Sequence, residues 1–95
     1  MRVTIISIDK SVRKDELFLS NLDLSSCGIP EDVHALQFNN GSGWIEYESG
    51  LVQNEPITSL PIWAQNCIDA LNAKIAENEA YQASLPVGIP IPQGD

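Results

Sequence analysis

His34 is the one histidine of this 95-residue sequence, and Asp32, Ser42, Glu46 and Glu48 stand close to it along the chain. A side chain that titrates near neutrality beside a hydroxyl and three carboxylates raises the question of a triad or an acid/base pair. The surrounding residues answer against it: nothing resembles a nucleophile elbow, and a small acidic protein always offers some histidine near some carboxylate. His34 is therefore expected to be a hydrogen-bonded strand residue. The loop "NNGSG" (residues 39–43) lacks the lysine, the following helix and the spacing of a phosphate-cradling loop. Cys27 and Cys67 lie far apart, form no CxxC pair, and with a single histidine make no metal-ligand set of recognisable spacing. The sequence thus predicts a protein that is not an enzyme, with no catalytic, cofactor-binding or metal-binding residues and no cofactor.

Charge narrows the partners. The formal net charge is −8, a balance that repels phosphate backbones and anionic membrane surfaces, so no nucleic acid and no membrane is expected. The distribution is lopsided: Arg2, Lys10, Arg13 and Lys14 lie near the start, and Lys74 is the only later cation. Trp44 and Tyr47 are flanked by Glu46 and Glu48, the wrong surroundings for stacking on single-stranded nucleic acid. No signal peptide and no apolar run of membrane length is seen, and two cysteines in no framework suit a reducing cytoplasm. Cys67 is expected to be a small buried hydrophobe.

The elements that would position these residues belong to one small domain, residues 1–82, followed by a tail, residues 83–95. "RVTIISI" (residues 2–8) is dense in β-branched residues and predicts a strand; "LFLSNLDLS" (residues 17–25) predicts a second returning beside it, with "DKSVRKDE" as a polar connection. Pro30 opens "PEDV", expected as one helical turn. In "VHALQF" an extended chain puts His34, Leu36 and Phe38 on one face and Val33, Ala35 and Gln37 on the other. "NNGSG" reads as a four- or five-residue hairpin loop leading into Trp44, Ile45, Glu46 and Tyr47. Leu51 and Val52 then make a third short strand, and "NEPITSLP" ends the sheet.

From Leu60 the apolar period becomes helical: Leu60, Ala64, Cys67, Ile68, Leu71 and Ile75 form one stripe of a helix running to about residue 82, with Ser59 as N-cap, Pro61 in its first turn and Trp63 anchoring its start. The predicted fold class is α+β: a small antiparallel β-meander with one C-terminal helix packed on it and an extended Pro-rich tail. That tail, "SLPVGIPIPQGD", holds three of the six prolines and exposes Leu85, Val87, Ile89 and Ile91, which points to a partner groove or self-association. With Trp44, Tyr47 and Trp63 these residues are the candidate protein contacts.

The order "MRVTII", "IPEDVHALQF", "GSGWIEY", "NEPITSL" and "PIWAQNCIDALNA" resembles a group of small phage and prophage proteins described as tail or tail-assembly accessory proteins. The resemblance spans residues 1–82, and "HALQF", "GWIEY" and "NEPITSL" are its most specific pieces. It implies a non-enzymatic role as an assembly chaperone or small structural subunit, a phage tail or tail-fibre protein as partner, and a place in the host cytoplasm during assembly or on the virion tail. It brings no catalytic residues. The alternative reading is a phage effector that binds and inhibits a host component, since an acidic protein of this size can occupy a basic site.

Overall fold

The computed structural model describes residues 1–84. Six strands and one helix follow in order: β1 (Arg2–Ile6), β2 (Ser11–Lys14), β3 (Leu17–Leu19), β4 (Val33–Asn39), β5 (Ser42–Tyr47), β6 (Glu55–Ile57) and α1 (Ile62–Ser84). All strands form one antiparallel sheet in the order β3-β2-β1-β4-β5-β6. It is built from two three-stranded meanders, β1-β2-β3 and β4-β5-β6, joined where β1 pairs with β4. The fold is α+β, with an antiparallel sheet and one C-terminal helix.

Register decides which residues meet the helix. Opposed residues of an antiparallel pair share a face, so Val12, Ile5, Leu36 and Ile45 form one row across the inner face and Val3 and Phe38 lie in the next. All of these are buried, in one cluster with Ala64, Cys67, Ile68 and Leu71 of α1. Leu60 and Ile75 complete the predicted stripe as half-buried residues packed on that cluster. Burying each large aliphatic side chain contributes about 1.5–3 kcal/mol, which is why the helix lies on this face.

Five local expectations are corrected. The interval before Leu17 is not a plain connection: Ser11–Lys14 is β2, pairing with β1 and β3, so Leu17–Leu19 lies beside β2 and not beside β1. Leu22 and Leu24 are not strand residues; they lie in the β3–β4 connection and reach into the core with Cys27. Leu51 and Val52 are exposed in a turn closed by Val52 N–H to the Ser49 carbonyl (3.1 Å), and the outermost strand is Glu55–Ile57 within the stretch expected to end the sheet. An edge strand tolerates Pro56 because its missing N–H costs no ladder bond on the open side. The hairpin loop is two residues, Asn40 and Gly41, with φ of 51° and 85°, the positive pair of a type I′ turn. At the helix start the Pro61 carbonyl accepts from Ala64 and Gln65 N–H (3.0 and 3.2 Å), taking the N-cap place expected for Ser59.

"PEDV" makes a single turn, closed by Val33 N–H to the Pro30 carbonyl (3.1 Å). No helix among the described residues is long and apolar enough to cross a membrane. The helix runs to Ser84, so residues 85–95 of the expected tail lie outside the described residues.

Candidate protein-contact surface

His34 sits on an irregularity. Val33 pairs with Tyr47 and Ala35 with Glu46, so His34 is the extra residue of a β-bulge in β4. The bulge overturns the simple alternation: Val33 turns inward and is buried with Leu36 and Phe38, and His34 no longer shares their face. The Ser7 hydroxyl holds the bulge by donating to the Val33 and His34 carbonyls (2.8 and 3.1 Å). The imidazole Nδ1 lies 3.6 Å from Glu48 Oε2, both side chains being roughly half exposed. Such a pair is worth at most about 1 kcal/mol.

Of the residues considered with His34, Ser42 begins β5 opposite Asn39, at the far end of the hairpin. At about 3.4 Å per residue that separation is too great for proton transfer. Glu46 accepts the Trp44 indole N–H (2.9 Å), and the Asp32 carbonyl accepts Glu48 N–H (2.8 Å). Among the described residues no group of three His, Cys, Asp or Glu side chains is placed to hold a metal ion.

Among the described residues, the other face of the sheet carries no helix. Opposed across it run Phe18, Arg13, Thr4, Gln37, Trp44 and Pro56, one from each strand. Phe18 is 50% exposed and Trp44 44%. The Arg13 guanidinium carbon lies 5.2 Å from the Phe18 ring centroid, a cation–π contact that holds an aromatic plate and a charge side by side. The Thr4 hydroxyl donates to Gln37 Oε1 (3.0 Å) between them. By the same register Arg2, Arg13 and Glu46 are the charged strand residues of this face. An acidic chain thus turns a mildly cationic, aromatic-edged face outward.

The predicted contact residues divide. Trp44 is on the open face. Tyr47 is half-buried on the inner side, where its hydroxyl bonds Glu55; that hydrogen bond, more than burial, raises the phenol above its ordinary value. Trp63 is half-buried against the core, as an anchor of the helix start. Leu85, Val87, Ile89 and Ile91 lie outside the described residues. The sequence alone does not single out Phe18 and Arg13, although Phe18 stands between Leu17 and Leu19 as the residue a strand turns away from the leucine side.

Two grooves flank the helix face. One, of about 280 Å³, runs along Ser7, Lys10, Asp23, Leu24, Ile29 and Glu31. Hydrogen bonds from the Ser25 hydroxyl and backbone N–H hold the Asp23 carboxyl there below the usual carboxylate range. The other, of about 460 Å³, separates Leu19 and Leu22 from Ala70, Ala73 and Lys74. Both are open and shallow, unlike the enclosed apolar pockets that hold small ligands. No family model matches the sequence, and neither a curated protein nor a solved structure matches it.

Proposed function

We propose that the protein is a non-enzymatic accessory protein of a phage tail or tail fibre, working as an assembly chaperone or small structural subunit through protein–protein contacts. The observation that carries this reading is the open sheet face. A six-stranded sheet covered on one side leaves Phe18, Arg13, Thr4, Gln37 and Trp44 facing outward, and Trp and Arg are the residue types that most often anchor interfaces. The occupant this face suits is an acidic, partly apolar segment of the tail or fibre protein: carboxylates meet Arg2 and Arg13, and apolar side chains pack on Phe18 and Trp44. The sequence resemblance supplies the tail assignment.

The test is co-expression with the tail or fibre protein encoded beside it. Co-purification, or a higher yield of folded fibre, is expected. A double variant, Phe18→Ala with Trp44→Ala, loses that effect while its far-UV circular dichroism stays unchanged. Failure of the wild-type chain either to co-purify or to alter fibre yield overturns the reading. Mass spectrometry of purified virions then distinguishes a retained subunit from a released chaperone.

A further inference from the structure

The two cysteines, distant in sequence and unused by the contact surface, meet in the core. Cys27 lies in the β3–β4 connection, where its N–H closes a turn on the Leu24 carbonyl (3.1 Å), and Cys67 lies on the inward stripe of α1. They are 4% and 0% exposed. Both belong to the same buried core cluster, and Cys27 is close enough to act on the ionisation of the Cys67 thiol. Beside them the Asn66 amide donates to the Cys27 carbonyl (2.9 Å), tying the connection to the helix at the residue adjoining Cys67. Both cysteines are free.

We propose that Cys27 and Cys67 are a latent disulfide site, joined when the protein meets an oxidising small-molecule disulfide, so that the β3–β4 connection is clamped covalently to α1. With oxidised glutathione as the oxidant, Cys27, the less buried thiol, gives its proton to solvent and attacks one glutathione sulfur. A Cys27–glutathione bond forms and one glutathione leaves as a thiol. Cys67 then loses its proton, attacks the Cys27 sulfur and displaces the second glutathione. Two protein thiols are oxidised to one disulfide, and one small disulfide is reduced to two thiols.

Burial, with the neighbouring Cys27 adding to it, pushes the Cys67 thiol up to about 12. Little thiolate exists at neutral pH, so the second step is slow and the pair persists as thiols in a reducing compartment. Once made, the bond closes a loop containing β4, β5 and β6 and removes that freedom from the unfolded chain.

The full chain is incubated in a mixture of oxidised and reduced glutathione at about pH 8.5, and a second sample is refolded from urea in the same buffer. The expected product is a monomer lighter by two hydrogens, whose peptide map joins Cys27 to Cys67. Its melting temperature rises by roughly 10 °C or more and falls back when reductant is added. Cys27→Ala, which removes one partner from the connection and not from the helix, shows no such rise. Two free thiols, separate glutathione adducts or interchain dimers by both routes would overturn the proposal, as would a rise that persists in Cys27→Ala.

Discussion

At the scale of single residues, three positions carry consequences out of proportion to their size. Gly43 stands opposite Phe38 where β5 leaves the hairpin, and a Cβ there would run into the Gln37 carbonyl oxygen and come 2.7 Å from the Phe38 Cα. Backbone on a central pair cannot step aside, so Gly43→Ala is expected to cost roughly 1–3 kcal/mol. A urea titration should show a lower midpoint with an unchanged slope; an unchanged midpoint would mean the hairpin backbone yields to admit the methyl group. Cys67 makes stability depend on alkali. Its folded value, about 12, lies above the ordinary 9.0, so the stabilisation is whole below pH 9.0 and drains as pH rises toward 12. The loss approaches about 1.4 kcal/mol per pH unit. Tyr47, also raised, adds in the same direction above its ordinary value. Denaturant midpoints at stepped alkaline pH should fall for the wild type, and Cys67→Ala, less stable at neutrality, should fall less steeply. His34 is the contrary case: His34→Ala breaks an exposed pair and should shift stability by less than about 1 kcal/mol.

At the scale of elements, α1 is two helices in one. Its first ten residues bury Ala64, Cys67, Ile68 and Leu71, whereas from Asn72 to Gln82 every residue is exposed except half-buried Ile75. The apolar stripe ends because its later positions are Asn78, Glu79 and Gln82, which have no reason to face a core. A stretch of this length with so few buried side chains is marginal as a helix in water. Amide hydrogen exchange should therefore be slow from Ala64 to Leu71 and much faster beyond Ile75; uniform protection along the helix would show that something covers the second half. The β4 bulge is the other element-scale device. By inserting His34 it brings Val33 into the core at the point where the β3–β4 connection arrives, and Ser7, whose single hydroxyl proton is shared between the Val33 and His34 carbonyls, should cost about 1 kcal/mol when replaced by alanine.

At the scale of the whole molecule, the sheet separates stability from contact. One face holds the helix and the core cluster; the other holds aromatic and cationic groups with little packed on them. Substitutions on the two faces should consequently have opposite signatures. Leu71→Ala, fully buried, is expected to lose roughly 2–5 kcal/mol of stability. Phe18→Ala with Trp44→Ala should lose about 1–2 kcal/mol at most, chiefly the cation–π contact, while abolishing co-purification with the proposed tail or fibre partner. Parallel thermal melts and pull-downs of these two variants check both halves; a double variant that unfolds would place the aromatics in the stability account instead.

The sequence by itself determined the kinds of element and much of the core. The change of apolar period at Leu60 marked the helix and its stripe, the β-branched run marked β1, and the Asn/Gly-rich "NNGSG" between two extended runs marked a hairpin though not the length of its loop, because each of these signals is local. Tertiary structure decided the rest. β2 is polar enough to pass for a connection and is a strand because β1 and β3 supply its hydrogen bonds on both sides. Leu51 and Val52 look like strand and are not, since the ladder to β5 is taken by Glu55–Ile57. The bulge that re-aims Val33 cannot be counted from alternation alone. Most of all, the open face with Phe18, Arg13 and Trp44, and the meeting of Cys27 with Cys67, depend on which strands lie side by side and on how a long connection crosses to the helix, and neither is written in any local run of residues.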